Sequence, residues 1–148
     1  MCLFNQQAIY GLLFDCAAET LLSFGRDAKW MGGQIGFFGI LHTWGQTMWM
    51  HPHGHFIVPG GGIKENGEWV TARYKHKFLF PVRALSKVFR GKFIEGLKEA
   101  YSKGNLSFPG ELEELESREG FKAWIDDLRS NEWVVYSKPP FAGAEEVV

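Results

Sequence analysis

His51-Pro52-His53-Gly54-His55-Phe56-Ile57-Val58-Pro59-Gly60-Gly61-Gly62 decides how the rest of this 148-residue chain is read. The run from about His53 to Val58 predicts a strand, closed by Pro59 and three glycines that cannot continue regular structure. Side chains alternate faces along a strand, so His53 and His55 point the same way, roughly 6.5–7 Å apart along the backbone. Two imidazoles at that separation can converge on one metal ion. Ile57 continues their face, while Gly54, Phe56 and Val58 take the other. His51 and His53 form a second H-x-H, but Pro52 between them lacks a backbone donor and suits a strand entry or edge. His53 and His55 are therefore the preferred ligand pair. The bland alternative is two surface or hydrogen-bonded histidines.

Upstream, Gly32-Gly33 break the chain before Ile35 to Trp44, an apolar and aromatic stretch that predicts a buried strand carrying His42. Further back, Ile9, Leu12, Leu13, Cys16, Ala17, Leu21 and Phe24 fall on one helical stripe, with Asn5 as front cap and Gly25 as left-handed exit. Downstream, Asn66-Gly67 marks a hairpin turn, with short strands expected over 68–74 and 78–80. From Pro81 the period returns to helical: Val82, Leu85, Phe89, Phe93, Leu97 and Tyr101 share a face, ended by Gly104-Asn105. Phe121, Trp124, Ile125 and Leu128 predict a third helix, and Trp133 to Tyr136 a strand stopped by Pro139-Pro140. A sheet with about three packed helices is an α+β domain.

Six Trp and thirteen Phe in a 45% apolar chain exclude low-hydrophobicity disorder. Sixteen Lys and Arg against seventeen Asp and Glu exclude a strongly cationic, histone-like binder, though not a local basic patch. Such a patch exists: nine Lys and Arg lie between Arg73 and Lys103 against only Glu95 and Glu99. A basic helix there could track a phosphate backbone through Arg83, Lys87, Arg90 and Lys92, or be a solvated face with alternating partners. No run of eighteen apolar residues is present, the strongest being the short Ile35–Leu41, so no membrane span is expected. Two cysteines, Cys2 and Cys16, in no C-x-x-C pair argue against a disulfide framework or cysteine-built zinc site and suggest a cytoplasmic protein. Spacing excludes other chemistries. Val58 and Pro59 stand where a cupin needs its carboxylate, H-E-x-x-H is absent, and no Gly-Lys-Ser/Thr follows the glycines.

Gly36-Phe37-Phe38-Gly39-Ile40-Leu41-His42-Thr43-Trp44-Gly45-Gln46 followed by the His51–Gly62 run resembles the core of bacterial rolling-circle insertion-sequence transposases. These form the two-tyrosine group of the HUH (histidine-hydrophobic-histidine) nuclease superfamily. The resemblance continues through Phe80-Pro81-Val82-Arg83-Ala84-Leu85-Ser86, Phe89-Arg90-Gly91-Lys92-Phe93 and Trp133-Val134-Val135-Tyr136-Ser137-Lys138-Pro139-Pro140-Phe141, nearly the whole chain in order. It implies an antiparallel sheet carrying the histidine pair, a metal that polarises a DNA phosphate, and a tyrosine that attacks it. It also implies single-stranded DNA as substrate, gripped by basic and aromatic surfaces.

By that resemblance His53 and His55 are metal ligands, and His42 is a third ligand, an orienting partner or a core histidine. Imidazoles alone favour zinc or a similar transition ion, whereas the family uses magnesium or manganese. Two departures are visible. Gly54 fills the slot between the histidines where the family has a larger apolar residue, which removes a packing anchor. The family's tyrosines follow the Lys-Pro-Pro-Phe block, and Tyr10, Tyr74, Tyr101 and Tyr136 are too dispersed to be that pair; Tyr136 is expected to pack, and no catalytic residue is assigned. The relatives' cysteine-rich zinc module is missing too. The expectation is thus a single partial nuclease domain over 1–148, a transposase fragment inactive alone and prone to self-association through exposed sheet edges. Two other readings stay open, a non-catalytic DNA-binding remnant and an unrelated metal module using His51, His53 and His55.

Overall fold

In the computed structural model, which describes residues 1–44, 50–74 and 78–139, the first helical stripe forms α1 (Gln6–Arg26). It buries Ile9, Cys16, Thr20 and Phe24; the Thr20 hydroxyl donates to the Cys16 carbonyl at 2.6 Å, so its burial leaves no polar atom unpaired. The second stripe forms α2 (Val82–Ser102), entered from Pro81 and left through Gly104 at φ 69°. α3 (Arg118–Ser130) follows a seven-residue 3₁₀ segment, Gly110–Glu116, that the sequence pattern did not announce. The Ser117 hydroxyl caps α3 by accepting from the Gly120 N–H at 3.0 Å.

Two apolar clusters hold these helices together. Ile9 and Cys16 of α1 meet Phe93, Ile94 and Leu97 of α2, with Leu106, Phe108 and α3's Phe121 and Ile125 closing the cluster. At the other end Phe24 and Leu85 meet Met31, Ile35, Ala72 and Phe80. Each fully buried large side chain is worth roughly 1.5–3 kcal/mol, against about 0–1 kcal/mol for an exposed ion pair such as Lys103–Glu99. Burial decides the helix packing. By length and composition α1 could cross a bilayer, at a mean hydropathy of 1.3, although it holds no unbroken apolar run of that length. In this fold its apolar stripe is spent on the core.

β1 (Phe38–Trp44) and β2 (Met50–Ile57) form an antiparallel pair, and β3 (Gly61–Ile63) pairs antiparallel with β4 (Trp69–Thr71). The mixed α+β character agrees with the sequence reading, but among the described residues the strands form two separate two-stranded sheets. The three glycines do not end regular structure, because Gly61 and Gly62 lie in β3. A Cβ at Gly62 would sit 2.6 Å from the Gln34 carbonyl oxygen, so the bare backbone lets Gln34 bridge Ile63.

Other expectations fail for similar tertiary reasons. Trp133–Tyr136 forms no ladder: the Ser86 hydroxyl holds the Trp133 carbonyl, and Val135 packs into the second cluster in place of strand pairing. Phe78–Phe80 is not a strand either, since Phe80 turns in as one of the most buried side chains. Gly25 is helical, and the left-handed residue is Gly32, at φ 81°, whose N–H with that of Gly33 reaches back to the Gly25 carbonyl. Asn5 holds the N-cap position without capping. Its amide instead clasps the Ser107 backbone, donating at 2.9 Å and accepting at 2.6 Å.

Candidate metal centre

β1 and β2 pair with His42 opposite His53 and Ile40 opposite His55, which places three imidazoles on one face. Ring centroids are 5.6 Å apart for His42–His53, 4.8 Å for His42–His55 and 4.9 Å for His53–His55. One ligand nitrogen from each lies within 4.8 Å of the others. His53 is half-buried, and His42 and His55 are exposed. That exposure removes the core-histidine reading of His42, which faces its two neighbours. His51 belongs to the residues whose side chains are not described, so the alternative H-x-H lies outside them.

The opposite face packs the platform against α1. Phe56 lies against Phe14 of α1 at 5.4 Å and Phe37 at 5.7 Å between centroids. A Cβ at Gly54 would sit 2.8 Å from the Phe56 ring, and one at Gly39 would sit 2.7 Å from it. The slot left by Gly54 is therefore filled by Phe56 folding back, which corrects the expectation of a lost anchor. Pro52 falls where the register shifts between His42 and Trp44, so its missing N–H meets the irregularity and not the histidine pairs.

Partial desolvation, then the charges of His42, His53 and Lys138, hold the His55 imidazole below its ordinary 6.5. A neutral ring is the ligating form. The donor set fits a divalent ion that accepts nitrogen: among the described residues it is three imidazoles without a carboxylate, which suit zinc, and suit manganese better than magnesium. Lys138 escaped the site assignment from sequence, since no spacing links it to His55; only folding brings its charge near.

The four basic residues proposed from sequence do not all lie on one face. Arg83, Lys87 and Arg90 share a helical face, yet the Arg90 guanidinium donates to the Asn131 carbonyl at 2.7 Å. Lys92 lies on the other side, bonded to Glu19 of α1 at 2.8 Å. Arg83 and Lys87 remain exposed, and neither belongs to an ion pair among the described residues. Lys75 and Lys77 lie outside the described residues. Of the tyrosines, Tyr101 stacks on Phe121 at 3.9 Å, while Tyr136 is 79% exposed and does not pack, because it alternates with the inward Val135.

Comparison with known proteins gives these observations a family. No solved structure matches the chain. The chain is 46% identical over 145 residues to "Putative transposase y4qJ" of Sinorhizobium fredii (strain NBRC 101917 / NGR234), covering 97% of itself and 36% of that relative. It is 39% identical over 76 residues to the "Transposase for insertion sequence element IS801" of Pseudomonas savastanoi pv. phaseolicola, covering 51% of itself and 18% of the relative. The chain thus spans about a third or less of the curated relatives it matches. Residues 36–148, which include all three histidines, match the family Y2_Tnp, described as "Putative transposase". The chain belongs to the Y2_Tnp transposase family.

Proposed function

We propose that this chain is the histidine-bearing portion of a transposase nuclease of the HUH type, which binds a divalent metal through His42, His53 and His55 and presents it to a phosphate of single-stranded DNA. The observation that carries the reading is the convergence of three imidazoles on one open strand face, with the Lys138 charge reaching His55. When bound, the metal would polarise a phosphoryl oxygen. His53, half-buried and opposite His42, fixes the site on the hairpin. Lys138 adds positive charge to a site whose ligand set among the described residues has no carboxylate, which favours an anion such as phosphate.

Within the longer transposases this would serve single-strand nicking and strand transfer in rolling-circle transposition. Alone, the chain is proposed to lack the nucleophile: Tyr101 is stacked on Phe121, Tyr10 packs against the first cluster, and the exposed Tyr74 and Tyr136 lie on separate segments outside any helix. Metal and DNA binding would remain, with Arg83 and Lys87 as the available cations of α2. Self-association is proposed through the open edges of β1 and β2, near the exposed Phe38 and Ile57. A cytoplasmic location is proposed with it.

The test incubates the purified chain with single-stranded oligonucleotides and manganese or zinc. Calorimetry is expected to give one metal site per chain, lost in His53→Ala, and denaturing gels no covalent adduct. A tyrosine-linked product would refute the missing nucleophile, and unchanged metal binding in His53→Ala would refute the site.

A further inference from the structure

We infer that Trp69 on β4 is a stacking surface for one unpaired nucleobase, separate from the histidine site. The inference rests on the DNA reading above and names a second contact for the same strand. The indole lies on the backbone of β3: a Cβ at Gly61 would fall 2.6 Å from its Cζ2 and 2.7 Å from its Cε2. One ring face is thus seated on glycine, and the side chain is still 59% exposed. Ile63, its direct register partner, flanks it at 54% exposure.

The support beneath is firm. Gln34 and Ile63 exchange backbone hydrogen bonds of 2.8 and 2.9 Å, and a Cβ at Gly33 would lie 2.6 Å from Val70 on the buried side. Strand-mounted groups of this kind hold their geometry better than groups on loops.

Size and charge choose the occupant. Two side chains make a patch far smaller than the roughly 800 Å² per partner of a stable protein interface. An open indole face is the size of one base, and every base has a π-face to offer. Just past the end of β4 the chain turns at Arg73. Arg73 is exposed and in no ion pair among the described residues, so it can meet the phosphate that follows a stacked base. The acids Glu65 and Glu68 lie at the turn end, where Lys64 pairs with Glu68. The strand would therefore leave Trp69 toward Arg73.

The test uses the full chain with a twelve-nucleotide oligothymidylate and an abasic oligomer of equal length, in metal-free buffer. Wild type is expected to prefer the oligothymidylate, and Trp69→Leu to lose roughly five- to a hundredfold of that affinity while binding the abasic oligomer unchanged. Trp69→Phe should recover part of the preference, and matching thermal melts would show that the exposed substitutions leave the fold intact. A Trp69→Leu chain that keeps the wild-type preference overturns the inference alone. Loss of self-association in place of base preference overturns it in favour of a contact between copies. A wild-type chain that binds neither oligomer in metal-free buffer overturns this inference, and one that still binds neither after manganese is added overturns the DNA reading as well.

Discussion

Replacing Gly54 by valine, a β-branched apolar residue, should destabilise this protein. On propensity alone the change looks favourable, because glycine in a strand interior costs roughly 0.5–1 kcal/mol relative to alanine and valine favours strands further. The structure reverses the sign. The first added carbon would lie 2.8 Å from Phe56 Cε2, well inside the ordinary ~3.5–4.0 Å contact. The ring cannot simply move off, since it is bounded by Gly39 on the facing strand, Phe14 of α1 and Phe37. Overpacking costs about 1–3 kcal/mol, and against this half-buried ring the net loss after the propensity gain should be about 1–2 kcal/mol. For a chain of this length that lowers Tm by roughly 2–8 °C. Thermal melts of wild type, Gly54→Val, Phe56→Leu and the double variant form a cycle in which the Gly54→Val penalty should shrink once Phe56 is gone. A Gly54→Val Tm at or above wild type, or an equal penalty in both backgrounds, would show that Phe56 does not fill the slot.

Three other perturbations test separate parts of the structure. Manganese or zinc at a hundred times its Kd should stabilise the fold by about 2.7 kcal/mol, a Tm rise of roughly 5–10 °C by scanning fluorimetry; His42→Ala should remove most of it, and an undiminished rise would exclude His42 as a ligand. The Cys16 thiol is pushed up to about 11 by burial, with Glu19 raising it, Lys92 opposing and Asp15 adding. Iodoacetamide at pH 8 should therefore spare it until the chain unfolds, and stability should fall between about pH 9 and 11, as the unfolded thiol ionises first. Peptide mapping that finds Cys16 alkylated in the folded chain would contradict this. His55, held below 6.5, takes up its proton later in the folded state than in the unfolded. Stability should be complete above 6.5 and decline as pH falls toward the depressed value, and His55→Gln should flatten that slope in metal-free melts.

What the sequence revealed and what it hid divide along a physical line. Helical stripes are local signals, and α1, α2 and α3 lie within a few residues of where Ile9–Phe24, Val82–Tyr101 and Phe121–Leu128 put them. The shared face of His53 and His55 is equally local, because strand alternation fixes it. His42 was ambiguous because its role depends on register, which only the pairing opposite His53 settles. Trp133–Tyr136 has strand composition, yet a strand needs a partner, and Val135 found a core instead. Gly60-Gly61-Gly62 was misjudged for the opposite reason: glycine without a side chain was the condition for close approach by Gln34 and Trp69. Charge alone marks Lys92 in the sequence, and its partner Glu19 lies on another helix, out of reach of local pattern.

The position of the bulge explains how a two-stranded sheet can hold a three-point site at all. An isolated hairpin is marginal in water, and a slip of one residue would invert every side chain of β2. His53 and His55 would then turn toward α1, and Phe56 would turn to solvent. Two features oppose that slip. The Phe56 ring, seated between Phe14, Phe37 and the two bare glycines, ties one register to the helix by apolar burial. Pro52 cannot donate to a ladder, and the strands absorb this beyond His42, on the side toward Trp44 and Met50. Had the irregularity fallen between Ile40 and His42, it would have displaced His42 from the face of the other two rings. The ladder from Phe38 to His42 is instead unbroken, so the three imidazoles inherit their spacing from regular antiparallel geometry.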